Sequence, residues 1–346
     1  MINYDLHPEL PKFCVPYISK TYLSIAEPGF ITAIAKHNLQ KQIEYYKRLL
    51  PEHAQLVLDG SHDGFSTTEM RLLFDKFRQT VVNYTGQVNV LTCEPNHHDD
   101  IFFPSWLYRC NIRYQGQSLP TIGKRQYRVS SLNRQPVTHR IYLYYLLSQR
   151  AYFNDMLFSF GGLLDNYNNE TIELNNDRLL DLPAEVFEWV KTKPPMIPIE
   201  NDVDTSNVAG NPGDHSWLHP AFTDSYLNIV TETNWGAVFF SEKTFKPLAA
   251  GQLFMMAGGY KQTRFLKQLG FETFDDVFDD HLYEWFVQIA PRMEGLVRTL
   301  DILYDNIEEI YFSKTRELAY NQEYAVSDSF RQRLTRELRD RGLVDD

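Results

Sequence analysis

The sequence predicts an α/β protein of two domains with a helical C-terminal segment, on three grounds. The chain has 346 residues, more than one compact core usually holds. Short apolar runs that end in polar loops alternate with stretches of helical period, which is typical of an α/β sheet. This alternation restarts near residue 125. We therefore expect an N-terminal α/β domain over 1–124, a second α/β domain over 125–300 and a helical segment over 301–346.

In the first domain, the pattern predicts two strands and two helices. Residues 1–30 are interrupted by proline and predict irregular structure. Residues 31–50 place apolar side chains at helical spacing, and residues 66–79 follow a helix-capping signal. The apolar runs 55–60 and 88–96 both end in polar loops, so each predicts a buried strand that leads to a loop.

In the second domain, strands and helices alternate around an insertion. Residues 163–220 are rich in Asn, Asp and Pro and predict an insertion with one helix at 182–192. Beyond 281 the period is helical, and one face is predicted to hold Leu282, Trp285, Phe286, Ile289, Met293, Leu296 and Leu300. Strands are predicted at 125–134, 155–162, 225–233 and 252–259, and helices at 136–150, 241–251 and 263–270.

Composition and charge narrow the functional class. Hydrophobic residues make up 43% and charged residues 23%, as in ordinary globular proteins. The net charge of −11 disfavours polymeric nucleic acid and anionic membranes as partners, although a local basic cleft stays open. No apolar run is long enough to span a membrane and no secretory signal is visible. Cys14, Cys93 and Cys110 have no disulfide-framework spacing, so we expect a cytoplasmic protein.

A phosphate-binding helix N-terminus is predicted after the strand at 225–233. An acidic residue leaves this strand, and Ser241 can cap the following helix. Free N–H groups, the helix dipole and nearby lysines suit a diphosphate, and a carboxylate can accept ribose hydroxyls. The alternative is an ordinary capped helix with solvated lysines. Gly258-Gly259 after the next strand would let the backbone approach a ligand. The candidate donor-binding residues here are Glu232, Asn234, Ser241, Glu242, Lys243 and Lys246.

No sequence of the form G-x-G-x-x-G follows a strand, and no P-loop motif is present. The sequence therefore disfavours a Rossmann dehydrogenase and a P-loop protein. The segment 225–259 instead resembles the donor-binding segment of α-1,3-fucosyltransferases, which are GT-B-type glycosyltransferases. Glu232 stands at the Glu of a family strand ending F-E-N, Ser241-Glu242-Lys243 stands for T-E-K, and Ala249-Ala250-Gly251 matches the following A-x-A-G turn. The chain departs from the family at Phe254, where a proline is usual, and at Thr233-Asn234, where Asn-Ser is usual.

The resemblance implies two Rossmann-like domains that face a cleft. It also implies an inverting, metal-independent transfer of fucose or another hexose from a nucleotide sugar such as GDP-fucose to an acceptor hydroxyl. The acceptor is a glycan or another hydroxyl compound, and no cofactor or metal is expected. Glu242 would hold the donor ribose and Lys243 the pyrophosphate.

A second candidate group follows the predicted strand at 125–134. Arg134 comes at its end, Asn133 precedes it, and His139 and Arg140 lie at the start of the next helix. In the family, an arginine after the first strand of the C-terminal domain reaches the donor phosphates, and Arg134 is the residue that fits. A guanidinium group makes forked contacts with phosphate oxygens. The alternative is a surface loop with a solvated His-Arg pair.

The catalytic base is expected in the first domain, since the donor-binding residues all follow residue 125. Glu94 leaves the strand at 88–96 and resembles a family T-x-E-N carboxylate, although Pro95 separates it from Asn96. Asp63 is the next candidate and also follows a strand, with Asp59 and His62 beside it. Each carboxylate can instead cap its own loop.

Three patterns support rival functions. His97-His98-Asp99-Asp100 and the pair His215 and His219 resemble zinc ligands, but neither has a metalloprotease motif. Asp202-Val203-Asp204 has the D-x-D pattern that metal-dependent glycosyltransferases use, but it lies in the insertion, where a solvated loop is the favoured interpretation. Full activity in excess EDTA would exclude a metal-dependent transferase. A non-catalytic nucleotide-binding or assembly protein of the same fold is the further alternative, and turnover of the donor separates it from an enzyme.

Overall fold

The computed structural model describes residues 22–24, 56–59, 88–92, 100–133, 136–161, 183–194, 196, 220–233, 235 and 238–341. The chain divides into two compact units, each with a parallel β-sheet. The first unit comprises 1–109, 237–239 and 328–346, and the second comprises 110–236 and 240–327. The α/β class and the helical C-terminal segment predicted from the sequence are confirmed.

The first unit contains a four-stranded parallel sheet in the order β1-β2-β3-β4. The predicted strands at 55–60 and 88–96 correspond to β2 (Leu56–Asp59) and β3 (Val88–Thr92), which pair directly. The outer strands, β1 (Tyr22–Ser24) and β4 (Asp100–Phe102), were not predicted, and β1 corrects the expectation of irregular structure over 1–30. Three-residue strands are too short to show an alternating pattern in sequence. The predicted helices at 31–50 and 66–79 lie outside the described residues.

The second unit is built on a four-stranded parallel sheet in the order β6-β5-β7-β8. Its strands are β5 (Tyr127–Asn133), β6 (Leu157–Phe160), β7 (Ser225–Val230) and β8 (Leu253–Met256). Each lies within a predicted strand. All residues of β6, β7 and β8 are buried, as in a parallel sheet that is covered on both faces.

Helices connect these strands and form the C-terminal part of the chain. α1 (Ser105–Tyr114) was not predicted from the sequence. The predicted helices of the second unit are present as α2, α3, α5 and α6, and the described residues beyond 281, which end at 341, contain four α-helices. Their bounds, with that of the short α4, are α2 Thr138–Ser148, α3 Ala184–Lys191, α4 Pro220–Thr223, α5 Glu242–Ala249, α6 Gln262–Gln268, α7 Ile289–Leu303, α8 Ile307–Ser313, α9 Thr315–Ala325 and α10 Asp328–Asp340.

The helical face predicted over 282–300 is correct only in its second half. Met293, Leu296 and Leu300 are fully buried on α7, which begins at Ile289. Leu282 ends a short 3₁₀ turn, and Trp285 and Phe286 lie in the connection to α7 with their side chains exposed. The apolar period therefore continues past the helix into a surface segment.

The strand order of the second sheet creates a topological switch point. β5 pairs with β6 on one side and with β7 on the other, so the connections after β5 and β7 run in opposite directions from the middle of the sheet. Ligands of open α/β sheets bind in the crevice outside the carboxyl ends of the strands at this point. The loop after β7, residues 231–241, borders it and is called the switch-point loop below.

A buried arginine holds together the opposite, amino-terminal edge of this sheet. The Arg125 guanidinium donates from Nη1 to the Phe222 carbonyl at 2.5 Å and from Nη2 to the Ala250 and Gly251 carbonyls at 2.8 and 3.0 Å. Its Nε donates to the Tyr311 hydroxyl at 3.0 Å, and the guanidinium lies over the Tyr311 ring. Arg125 therefore joins the start of β5 to the chain before β7, the end of α5 and α8.

Among the helices of the described part of the chain, none combines the length and the apolar composition that crossing a membrane requires.

Candidate functional site

A buried carboxylate holds the N-terminus of α5 at the carboxyl edge of the second sheet. Glu232 follows β7 and is fully buried. One of its oxygens accepts hydrogen bonds from the Ser241 backbone N–H at 2.8 Å and the Thr244 hydroxyl at 2.5 Å, and the other accepts from the Ser241 hydroxyl at 2.6 Å. Ser241 also caps the helix, because its Oγ accepts from the Lys243 N–H at 3.2 Å. The predicted capping role of Ser241 is confirmed.

These contacts give Glu232 a structural role. Groups of the chain bind both of its carboxylate oxygens, so in this structure Glu232 positions Ser241 and Thr244, and its contact with a ribose stays a prediction. Burial raises the pKa of Glu232, and the nearby Lys243 ammonium opposes this shift. The first turn of α5 thus already has an anionic partner when the carboxyl is ionised, and the helix dipole alone cannot supply the attraction for a phosphate.

Glu242 and Lys243 are the predicted donor-binding residues that reach solvent at this edge. They occupy the first turn of α5, and their side chains are 15% and 19% exposed. The Lys243 ammonium donates to the Glu242 carboxylate at 2.7 Å. The edge therefore presents a cation and an anion side by side.

Two residues at the start of α2 hold the switch-point loop in place. The His139 Nε2 lies 2.8 Å from the Glu232 carbonyl oxygen, and because a carbonyl only accepts, Nε2 carries the hydrogen. Burial lowers the pKa of His139 to about 3, and Arg140 contributes to the same shift, so the ring is neutral at physiological pH. The Arg140 Nη2 donates to the Thr231 carbonyl at 2.6 Å and to the Thr233 hydroxyl at 3.2 Å. His139 and Arg140 are therefore buried and hydrogen-bonded to the switch-point loop, and they are not a solvated pair.

Asn133 and Lys246 are buried and do not join Glu242 and Lys243. The Asn133 side-chain amide donates to the Ser131 hydroxyl at 3.0 Å, and its oxygen accepts from the Thr231 hydroxyl at 2.7 Å. Asn133 therefore ties the ends of β5 and β7 together. The Lys246 ammonium lies 5.5 Å from the centroid of the Phe222 ring, which precedes β7 at the other edge of the sheet. In this structure both side chains therefore contact groups of the chain itself, and their contact with the donor stays a prediction.

Several predicted residues lie outside the described part of the chain. They include two donor-binding candidates, both candidate bases and the principal members of the rival patterns: Arg134, Asn234, Glu94, Asp63, His97, His98, Asp99, Asp202, Asp204, His215 and His219. Within the residues that are described, no group of three or more His, Cys, Asp or Glu side chains is placed to hold a metal ion.

Sequence reasoning missed two residues of this edge, Trp235 and Arg292. Trp235 lies in the switch-point loop, and its ring is 5.1 Å from the His139 ring and 4.7 Å from the Arg292 guanidinium carbon. Its indole N–H donates to the Val287 carbonyl at 3.1 Å, and the Arg292 Nη2 donates to the Gly259 carbonyl at 2.7 Å. These contacts join β7, β8 and α7 across long stretches of sequence, and only a tryptophan in a strand-exit loop hinted at them.

A second buried carboxylate, Glu284, caps α6 after β8. It accepts hydrogen bonds from the Thr263 N–H at 3.0 Å and from the Thr263 hydroxyl. Burial raises the pKa of Glu284 to about 8 from its ordinary value of 4.5, and the Arg292 charge opposes this shift. The folded state keeps a proton that the unfolded chain releases near pH 4.5, so this contribution to stability is full below that pH and is lost as the pH rises to about 8.

Gly258 packs closely against other side chains of the chain. A Cβ atom at this position would overlap the Gln262 side-chain oxygen and lie 3.2 Å from the Glu232 Cβ. The predicted approach of a ligand to the Gly258-Gly259 backbone is therefore replaced, at Gly258, by contact with the side chains that support the site.

Comparisons with known proteins assign no family. No protein-family model matches the chain, and a search of curated proteins finds no significant match. The fucosyltransferase resemblance of residues 225–259 thus rests on their motif alone, and the chemistry of the site on the geometry above.

Proposed function

We propose that the carboxyl edge of the second sheet binds a nucleotide-activated sugar. On this proposal the protein is an inverting, metal-independent glycosyltransferase of GT-B type, with its two units as the Rossmann-like domains. It transfers fucose or another hexose to the hydroxyl group of a glycan or another acceptor. The observation that carries the proposal is the position of Glu242 and Lys243 in the first turn of α5, beside the switch point where α/β sheets bind ligands.

The proposed diphosphate contacts come from side chains more than from the helix end. Glu232 already accepts the Ser241 N–H and the Thr244 hydroxyl, so the positive charge for the phosphates comes from Lys243 and, by its place after β5, Arg134. Both cations would stabilise the negative charge that develops on the leaving diphosphate. This is the electrostatic role that a metal ion has in metal-dependent transferases.

The Glu242–Lys243 ion pair is the proposed resting state of the empty site. Both side chains keep some exposure to solvent, so a ligand can reach either member of the pair. When the donor binds, the Lys243 ammonium moves to a phosphate oxygen and the Glu242 carboxylate accepts a ribose hydroxyl. Each side chain thus gives up the other as its partner and binds a group of the nucleotide sugar instead.

The proposed base is a carboxylate of the first unit. Glu94 and Asp63 follow β3 and β2, which are neighbouring parallel strands. In an inverting transfer the base takes the proton of the acceptor hydroxyl, the acceptor oxygen forms the new bond to the anomeric carbon, and the bond from that carbon to the diphosphate oxygen breaks. Glu94 is the first choice because it matches the family segment.

Lys243→Ala tests the donor site by separating the two halves of the ligand. We expect it to weaken binding of a nucleoside diphosphate about tenfold to a hundredfold, the effect of losing a charged hydrogen bond, and to leave binding of the nucleoside nearly unchanged. Glu242→Ala should weaken both ligands, because both contain the ribose. Isothermal titration of each variant with both ligands measures these affinities.

Lys267→Ala is the matched control, since it removes an exposed lysine of α6 that pairs with Asp275. It should change neither affinity. Equal losses for nucleoside and nucleoside diphosphate in Lys243→Ala would contradict the assignment of this lysine to phosphate.

A further inference from the structure

An exposed group of aromatic and apolar side chains lies between β8 and α7. We call it the ring platform and define it as Tyr260, Leu282, Trp285, Phe286 and Val287. Trp285 is 47% exposed and Tyr260 is 36% exposed. Five of the eight large hydrophobic side chains that are exposed within the described residues belong to this group. Exposed apolar groups of this size commonly mark binding surfaces.

The ring platform is fastened to the switch-point loop. Tyr260 follows β8 directly after Gly258-Gly259, so it leaves the same edge of the sheet as Glu242 and Lys243. The Trp235 indole donates to the Val287 carbonyl at 3.1 Å. Arg292 also connects the platform to this loop, because it donates to the carbonyl of Gly259, which precedes Tyr260, and its guanidinium lies over the Trp235 ring. The platform thus belongs to the periphery of the candidate donor site.

A lysine stands among the rings. The Lys261 ammonium lies 3.9 Å from the centroid of the Trp285 ring and 4.8 Å from that of Tyr260. Lys261 adopts a left-handed backbone conformation, with φ of 56°. The His281 ring is a second neighbour, with its centroid 4.7 Å from that of Trp285, and nearly half of the Trp285 surface is exposed in spite of both contacts. Rings with an adjacent cation complement a ligand that is both aromatic and anionic, and a nucleotide has both properties.

We infer that the ring platform binds the base of the nucleoside diphosphate, which stacks on Trp285 beside Lys261. This inference rests on the proposed function and identifies the part of the site that it leaves open. A stacked base needs only a ring face, so the platform binds purines and pyrimidines by the same contact. The phosphates then extend from the platform toward Lys243.

Trp285→Ala tests this inference. Base–aromatic stacking contributes about 1–3 kcal/mol, so we expect the dissociation constant of the best-binding nucleoside diphosphate to rise about 5-fold to 150-fold. The affinity for inorganic pyrophosphate, which has no base, should stay at the wild-type value. Trp285→Phe keeps a ring and should retain most of the affinity, which also shows that the position tolerates substitution.

Phe312→Ala is the matched control, because Phe312 is 45% exposed on α8, outside the platform. It should bind the nucleotide as the wild type does. Wild-type nucleotide affinity in Trp285→Ala, or an equal loss for pyrophosphate, would overturn the base assignment and leave the proposed function intact. A wild-type protein that binds no nucleotide would overturn both. A wild-type dimer that Trp285→Ala dissociates would show that a second copy covers the platform, and would also overturn the assignment.

Discussion

Glu94→Gln is expected to slow sugar transfer at least about a hundredfold, since removing a general base costs typically about 10²–10⁴ in rate. Glutamine has the size of glutamate and keeps one acceptor oxygen, but it cannot take the acceptor proton. The donor-binding residues all follow residue 125, so nucleotide affinity should be unchanged. Measuring kcat with saturating donor, together with the dissociation constant of the nucleoside diphosphate, separates the two effects.

Asp63→Asn is the companion variant, because Asp63 is the second carboxylate that follows a strand of the first unit. It should keep turnover close to the wild type. If Glu94→Gln is active and Asp63→Asn is inactive, the base assignment is wrong, while the donor site is unaffected. If both variants turn over normally, neither carboxylate is the base.

Arg125→Met is expected to lower the free energy of unfolding by about 3 kcal/mol or more, because several buried carbonyl groups lose their hydrogen-bond donor. Methionine fills much of the same space but donates no hydrogen bonds. The carbonyls of Phe222, Ala250 and Gly251 then lose a donor at the amino-terminal edge of the second sheet. Each buried acceptor that is left unsatisfied costs about 1–3 kcal/mol. Urea unfolding monitored by circular dichroism measures the change.

Arg128→Met is the matched control on the same strand, since Arg128 is exposed and its guanidinium lies over the Tyr304 ring. Its loss should cost about 1 kcal/mol or less. Equal destabilisation by the two substitutions would contradict the role given to Arg125.

The strands of the second unit and most of its helices could be predicted because their signals are local. Buried strands such as β7 are continuous apolar runs, and Ser241 precedes α5 in a recognisable capping position. The order of the strands could not be predicted in this way. The pairing of β5 with β7 joins segments nearly a hundred residues apart, and no local pattern encodes it.

The roles of polar residues at the strand ends were the least predictable part of the site. A carboxylate after a strand can face a ligand or the next helix, and Glu232 takes the second course by binding Ser241 and Thr244. Lys246 shares a helix with Lys243, yet its stem packs inward and its ammonium lies over Phe222. Both outcomes depend on packing between elements that are separate in sequence.

The ring platform shows the same limit for apolar residues. Trp285 and Phe286 continue the period of α7, so the sequence assigns them to a buried helical face. The helix begins only at Ile289, and the preceding segment carries these rings to the surface. Period alone does not distinguish a core face from an exposed binding surface.

Thermal unfolding of the wild-type protein with GDP, UDP, CDP, dTDP and ADP tests most directly whether the second unit binds a nucleotide-sugar donor without a metal. Each nucleotide is measured with Mg²⁺ and in excess EDTA. We expect at least one of them to stabilise the protein equally in both conditions, by about 2.7 kcal/mol at a hundred times its dissociation constant. No stabilisation by any of the five, or stabilisation only with Mg²⁺, would contradict it.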